Sequence, residues 1–255
     1  MILSNPQGGY KFLRGAKPYS AGVIAADGFS IESVRLSTTI PWKAGFELLD
    51  GYLRAVGRPR ASVCAIGLRS PAAFSFQGFK EFNDGYVDVL KSWDILVDGV
   101  NPVARTNVAP EFHPPAEPSL YSFAYTVPAE RGVTSFVVAG AGELPEGSFD
   151  PLDIVGRDDT TPEAMARKAE FVLGLMEGRL RGLDVSWNQV SHTNIYTVQD
   201  VNALLATIIL PRIGGAAQHG ITWHYTRPPI VGLEYEMDVR GGTRDAVLQV
   251  GPVAA

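Results

Sequence analysis

The chain has 255 residues, of which 45% are hydrophobic, 10% aromatic and 19% charged, and these proportions exclude a disordered or fibrous protein. The net charge is −5 at pH 7 and the Lys and Arg residues form no cluster, so the sequence offers no electrostatic footprint for nucleic acid.

The first half of the chain predicts two strands, a helix, a strand, a second helix and a closing strand. The two strands, around Lys17–Val23 and over Phe29–Ile40, form a predicted hairpin. The first helix ends at Gly57, and later strands are predicted over Ala61–Leu68 and Val103–Val108. Apolar residues at intervals of three and four define the helices: Trp42, Phe46, Leu49, Leu53 and Val56 in the first, and Phe79, Phe82, Tyr86, Val89 and Trp93 in the second.

The second half repeats this order. Ser119–Tyr125 echoes Lys17–Val23 about 102 residues later and predicts a second hairpin with Val133–Leu144. A helix begins after Thr161 as its N-cap, with Pro162 in the first helical position. The remaining predicted elements are a strand over Ser186–Thr197, a helix containing Val201, Leu204, Leu205, Ile208 and Ile209, and a strand over Ile221–Tyr225.

This repeat predicts an α+β fold made of two tandem ββαβαβ modules, each a mixed sheet covered on one face by two helices. The proline-rich stretch 110–118 separates the modules, so we predict domains at residues 1–117 and 118–255. The stretch Leu120–Val127 is either the first strand of the second module or the last strand of the first. Only the second half has an obvious extra strand, at Gly232–Val239.

Four short motifs of the first half carry a family resemblance. They are Pro18-Tyr19-Ser20, Ser37-Thr38-Thr39-Ile40-Pro41, Phe82-Asn83-Asp84-Gly85-Tyr86 and Pro102-Val103-Ala104-Arg105-Thr106. In this order they resemble the RidA family of reactive-intermediate deaminases. The resemblance implies tandem RidA-like modules, a ligand cleft between modules and assembly in threes, for which three chains are the smallest set using every module equally. We therefore expect a homotrimer.

The second half resembles the family through a different subset of residues. Leu233-Glu234-Tyr235-Glu236 is similar to the final strand of the family, whose first glutamate is a site residue. The family arginine is absent, and His219 falls at its place. The first half has that residue as Arg105 but shows no matching glutamate, since Tyr121 falls at that point. The halves are thus complementary, and a working cleft would combine Arg105 with Glu234.

The resemblance implies a cofactor-free hydrolytic deaminase that acts on an imine or enamine of a small carboxylic acid, such as a 2-imino acid or an aminomuconate-type compound. The planar guanidinium of Arg105 suits bidentate binding of a carboxylate, and Glu234 could move the protons if burial raised its pKa. Tyr19 completes the predicted catalytic residues. The predicted substrate-binding residues are Arg105, Ser37, Asn83 and Tyr121.

Other features of the sequence bear on compartment and cofactors. No stretch approaches the roughly 18 apolar residues of a membrane span, and the start of the chain lacks the regions of a signal peptide. We expect a cytoplasmic protein with no membrane partner. The single cysteine, Cys64, is typical of a small buried hydrophobic residue. The spacing of His219 and His224 does not suit a metal site, and we predict no metal and no cofactor.

Two further functions remain open. The chain could be a non-catalytic protein that binds a small ligand or a partner on the same scaffold. Independently of this, Arg105 could be a surface or ion-pair arginine, and Glu234 could lie on the solvent face of an edge strand. It could also be a chorismate-type lyase or hydrolase, for which it is short. Whether Arg105 and Glu234 share one cleft would discriminate between an enzyme and a binding protein.

Overall fold

The computed structural model describes residues 1–148 and 150–251 and has an α+β fold with two mixed sheets. The strands are β1 (Ile2–Asn5), β2 (Tyr10–Leu13), β3 (Gly22–Ala25), β4 (Phe29–Pro41), β5 (Val63–Arg69), β6 (Ala104–Pro110), β7 (Ser119–Pro128), β8 (Phe136–Gly142), β9 (His192–Tyr196), β10 (Thr222–His224), β11 (Thr226–Arg227), β12 (Glu236–Gly241) and β13 (Arg244–Leu248).

Four helical segments accompany the sheets. They are α1 (Trp42–Ala55), α2 (Phe76–Ser92), α3 (Pro162–Gly182) and a fourth, broken segment of Asn202–Leu204, a π turn at Leu205–Ile209 and Leu210–Ile213. The predicted start of α3 is confirmed, since Thr161 Oγ1 accepts a hydrogen bond from the Ala164 N–H. Within residues 1–148 and 150–251, no helix has the length and apolar character needed to cross a membrane.

The strand order is β11-β6-β5-β7-β4-β13 in the six-stranded sheet and β1-β2-β3-β8-β12-β9-β10 in the seven-stranded sheet. Four adjacent strands of each sheet follow one connection order, β6-β5-β7-β4 in one and β10-β9-β12-β8 in the other. Consecutive strands at the ends, such as β10 and β11, pass from one sheet to the other and hold the two sheets together.

The helices lie on the outer faces of the two sheets. Apolar residues of α1 and α2 pack on the six-stranded sheet, and those of α3 and the fourth segment pack on the seven-stranded sheet. The inner faces of the sheets meet over mostly small side chains, among them Cys64, Ala65, Ala104, Ala124 and Ala139. Small side chains let the backbones approach closely, so the inner layer is thin and leaves room for cavities near its ends.

Neither predicted hairpin forms. The β3 strand pairs with β2 and β8, whereas β4 pairs with β7 and β13, so β3 and β4 belong to different sheets. The same holds for β7 and β8. Alternation of apolar and polar residues identifies a strand but does not show which strand it pairs with. The short turns at these positions connect strands of different sheets.

The stretch Leu120–Val127, which the sequence allowed in either module, lies in β7 of the six-stranded sheet, where β7 pairs with β4 and β5. Strands β1 to β3 lie in the seven-stranded sheet, although they begin the chain. The division of the chain between residues 117 and 118 therefore does not coincide with a division between sheets. As a domain boundary it stays a prediction.

Candidate active site

Arg105 is the second residue of β6 and is only 3% exposed. Its guanidinium carbon lies 4.7 to 5.8 Å from the centroids of four aromatic rings, which belong to Tyr19, Phe79, Phe82 and Tyr86. Nη2 donates a 2.6 Å hydrogen bond to Asn83 Oδ1, but the buried Nη1 has no partner among the described residues. A buried cation without a counter-ion is costly, so this group is suited to binding an anion.

A small pocket of about 90 Å³ opens beside Arg105, where β6 packs against the seven-stranded sheet. Tyr19, Arg179 and Glu236 line it together with Arg105. The segment 144–148 forms another wall. The pocket thus combines two guanidinium groups, a phenol and the carboxyl groups of Glu146 and Glu236, and we call it the Arg105 pocket.

Glu236, the first residue of β12, is the buried carboxyl group of this pocket and is 4% exposed. Burial is the main cause that raises the pKa of Glu236 well above its usual range, and the neighbouring Asp238 raises it further. Space for the side chain comes from Gly140, because a Cβ at that position would collide with Glu236 Oε1. Burial therefore favours the protonated form of Glu236, which is the form that can donate a proton.

Tyr19 is held by backbone contacts on both sides. Asn101 Nδ2 donates to the Pro18 carbonyl (2.7 Å), and the Ser20 N–H donates to the Val103 carbonyl (2.9 Å). Burial raises the pKa of Tyr19, an effect that the Arg105 charge partly opposes. The phenol therefore stays protonated at neutral pH and can donate a hydrogen bond into the pocket.

Arg179 of α3 differs from Arg105 because it has an acidic partner. Its Nε donates to Glu146 Oε1 (2.7 Å), and its Nη1 donates to the carbonyls of Ala139 (2.8 Å) and Gly140 (3.3 Å). Arg179 thus ties α3 to β8 and to the segment that covers the pocket.

A larger cavity of about 400 Å³ lies between the two sheets, and we call it the inter-sheet cavity. Asp238 marks its boundary with the Arg105 pocket: Oδ2 accepts hydrogen bonds from Thr106 Oγ1 (2.7 Å) and the Tyr196 hydroxyl (2.8 Å). Asn194 Nδ2 donates to Oδ1 of the same carboxylate (2.7 Å). Thr106 Oγ1 also accepts from the Gly140 N–H, so these polar contacts join the sheets, and Arg105 lines the inter-sheet cavity as well as the Arg105 pocket.

The structure brings three of the sequence-predicted site residues together, namely Tyr19, Asn83 and Arg105. Glu234 does not line either space, because its Oε2 accepts a 2.9 Å hydrogen bond from Gln199 Nε2. Ser37 Oγ accepts from the Val250 N–H (2.9 Å), outside both linings.

Two other predicted positions also lie away from the Arg105 pocket. Tyr121 lines the inter-sheet cavity, with the Arg69 guanidinium 3.8 Å from its ring centroid. His219, at the expected place of an arginine, is exposed. Within residues 1–148 and 150–251, no group of three His, Cys, Asp or Glu side chains is placed to hold a metal ion.

Sequence reasoning missed Glu236 as the pocket carboxyl. Glu234 and Glu236 are two residues apart, so their side chains point to the same side of an extended chain. Because both are glutamates, residue type does not distinguish them either. The register decides between them, since Glu236 lies opposite Gly142 of β8 and Tyr196 of β9. Gly140 was the one available signal, because a glycine inside a strand marks a close approach.

Comparison with known proteins overturns the predicted resemblance to the RidA family. The family model of 2-aminomuconate deaminase CnbZ matches residues 2–246. A 2-amino-5-chloromuconate deaminase from Comamonas testosteroni is 45% identical over 244 residues, which are 94% of this chain and 96% of that protein.

Among solved structures, a chorismatase gives a TM-score of 0.51 at 14% identity and covers 87% of this chain and 77% of its own, a likeness of fold alone. The four short motifs were too brief to separate the families. The prediction that the protein is an enzyme acting on a carbon–nitrogen bond is nevertheless confirmed, because the chain belongs to the 2-aminomuconate deaminase CnbZ family.

Proposed function

We propose that this protein is a cofactor-free hydrolytic deaminase acting on an enamine or imine of a small carboxylic acid of the aminomuconate type, with the Arg105 pocket as its active site. The names of the family and of the 45% identical relative support the substrate type. One observation carries the site: the buried Arg105, whose Nη1 has no partner among the described residues, and the buried Glu236, whose pKa is raised by burial, line the same pocket.

Arg105 would bind the substrate carboxylate beside the reacting carbon. Its unpartnered Nη1 supplies a donor, while the hydrogen bond to Asn83 and the surrounding rings fix the plane of the guanidinium. Two parallel hydrogen bonds to a carboxylate set orientation as well as affinity. The reacting carbon is thereby held near Glu236.

Glu236 would carry the protons in sequence. Its carboxyl donates a proton to the carbon next to the amino-bearing carbon, which converts the enamine to an iminium ion. The resulting carboxylate accepts a proton from water as the water oxygen bonds to the iminium carbon. Glu236 then protonates the nitrogen, the C–N bond breaks, and the hydroxyl proton returns to Glu236 as the C=O bond forms. One water is consumed and one ammonia released.

Tyr19 would assist the attack of water. Because its phenol remains protonated, it can donate a hydrogen bond to the oxygen that is added to the iminium carbon. Asn83 acts through Arg105 as a positioning residue, since its contact with the site is the hydrogen bond to Nη2.

The test is turnover of 2-aminomuconate generated in situ, followed by ammonia release and by loss of the absorbance of the conjugated enamine. We expect one ammonia per substrate for the unchanged protein and a fall in kcat of about 10²- to 10⁴-fold for Glu236→Gln. Glu234→Gln is the matched control and should keep turnover within about twofold, since exposed or peripheral changes have small effects.

The outcomes separate the claims. Absence of ammonia release by the unchanged protein would contradict the function. Normal turnover by Glu236→Gln, or loss of turnover in Glu234→Gln, would instead remove Glu236 from the proton transfers and restore Glu234.

The proposed active site uses residues of a single chain. Tyr19, Arg105 and Glu236 line one pocket without a partner subunit. The homotrimer stays a prediction that light scattering tests, and the proposed chemistry does not depend on it.

A further inference from the structure

Four cationic side chains are buried in the described part of the chain, and they fall into two classes. Lys168 pairs with Glu143 and Arg179 pairs with Glu146. Arg69 and Arg105 form no ion pair with the described residues, although they are 5% and 3% exposed. The proposed function uses Arg105, so Arg69 is a second buried charge that still lacks a counter-ion.

Arg69 is the last residue of β5 and lines the inter-sheet cavity. Its guanidinium lies on Tyr121, with its carbon 3.8 Å from the ring centroid, and is 5.8 Å from the centroid of Tyr196. Nη1 donates to the carbonyl of the adjacent Leu68 (2.9 Å). A guanidinium has five N–H donors, so this contact leaves most of them for a ligand. Stacking on Tyr121 fixes the guanidinium plane in advance.

The rest of the lining does not neutralise Arg69. Asp238 is engaged by three hydrogen bonds from Thr106, Asn194 and Tyr196. Asp245, another acid of the cavity, pairs with Arg240 (3.2 Å) and lies 3.0 Å from His192 Nε2.

The histidine beside Arg69 adds no charge. Burial, with Arg69 as the next cause, lowers the pKa of His224 to about 4. His224 stacks on Tyr196 with ring centroids 4.7 Å apart and is neutral at pH 7. A flat aromatic surface therefore adjoins the unpaired cation.

We propose that the inter-sheet cavity is a second binding site beside the Arg105 pocket, with Arg105 in the lining of both, and that it takes a small, planar carboxylate on Arg69. A planar carboxylate matches the edge of a guanidinium, and a conjugated carbon chain suits the tyrosine-lined wall. Arg105 lines both spaces, so the test must distinguish two small molecules from one that spans both. A cavity of about 400 Å³ is large enough for such a ligand.

The test is equilibrium dialysis of the full chain with radiolabelled cis,cis-muconate, a conjugated dicarboxylate without an amino group to lose. We expect two molecules bound per chain for the unchanged protein, one for Arg69→Met, one for Arg105→Met and none for the double variant. Arg131→Met is the control, because Arg131 is exposed and lies outside the linings of both spaces, and it should still bind two.

Folding is followed by circular dichroism, and Arg69→Gln provides a second variant if Arg69→Met does not fold. One molecule bound by the unchanged protein, or loss of all binding in either single variant, would overturn the proposal and indicate one ligand spanning both spaces. Two molecules bound by Arg69→Met would also overturn it. Displacement of half the muconate by equimolar inorganic phosphate would overturn the selectivity for a carboxylate. Because muconate is not deaminated, these results stand apart from the test of the proposed function.

Discussion

Lys168 and Arg105 are both buried cations, but Lys168 has an acidic partner and Arg105 has none among the described residues. Lys168 Nζ donates to Glu143 Oε1 (3.0 Å) and to the Val155 carbonyl (2.8 Å), and both side chains of the ion pair are fully buried. Arg105 has aromatic rings and one neutral amide around it. The first arrangement is complete within the protein, whereas the second leaves donors that the proposed substrate would fill.

The ion pair also supports the active site. Glu143 accepts hydrogen bonds from the backbone N–H groups of Glu234 (2.6 Å) and Tyr235 (3.1 Å), directly before Glu236. Lys168 and Glu143 thus fix the entry of β12 and with it the position of the pocket carboxyl. The comparison teaches that a paired buried charge stabilises the fold while an unpaired one marks a binding site.

The largest effect is expected from removing one side of the complete pair. Lys168→Met leaves Glu143 buried without its cation, which should lower the free energy of unfolding by about 3–5 kcal/mol. Urea denaturation measures this change. The control is Lys17→Met, which breaks an exposed pair with Asp84 and should leave the free energy of unfolding almost unchanged. Equal losses in both variants would contradict the comparison.

Arg105→Lys should act on turnover and leave stability almost unchanged. Lysine keeps the positive charge but loses the planar fork, so we expect kcat/KM for the aminomuconate-type substrate to fall about 100-fold, which corresponds to about 2.7 kcal/mol. The melting temperature should stay close to that of the unchanged protein, because Arg105 has no ion pair to lose. A large fall in melting temperature would show that Arg105 is structural, like Lys168.

A smaller, pH-dependent effect is expected at Glu236. An unfolded glutamate ionises near pH 4.3, whereas burial keeps folded Glu236 protonated to a higher pH. In that interval the unfolded state has fewer bound protons than the folded state, so stability falls as pH rises, by at most about 1.4 kcal/mol per pH unit. Glu236→Gln cannot ionise, so its melting temperature relative to the unchanged protein should rise as the pH increases above about 4.3.

Differential scanning calorimetry of the two proteins across this range checks the sign. A pH-independent difference would mean that Glu236 is ionised in the folded protein and cannot begin the reaction as an acid.

Much of the local structure could be predicted because it depends on near neighbours in sequence. The stripe of α1 buries Phe46, Leu49 and Leu53 against the sheet, and Gly57 follows the helix with a φ of 68°. The fourth helical segment was harder, since its apolar positions predicted a regular helix and the structure has a π turn over Leu205–Ile209. Pro211 lies just beyond that turn and has no N–H to continue an α-helical pattern.

The site could be predicted in part. Tyr19, Asn83 and Arg105 lie within recognisable motifs, and the structure brings them into contact. The sequence could not show whether Glu234 or Glu236 is the carboxyl group of the pocket, because both side chains point to the same side of the strand. Only the packing of Gly140 against Glu236 distinguishes them. Arg69 carried no signal, since the absence of a counter-ion is a property of its three-dimensional surroundings.

By itself, the sequence determined that this is an α+β protein whose strands and helices alternate, and that an arginine and a nearby glutamate are candidates for the chemistry, since periodicity and residue type are local properties. Only the tertiary structure decided that β3 and β4, like β7 and β8, lie in different sheets. It also decided which glutamate meets Arg105 and which buried cations remain unpaired. Strand partners and counter-ions come from distant parts of the chain, and their choice is made by the packing of two sheets whose inner faces are both buried.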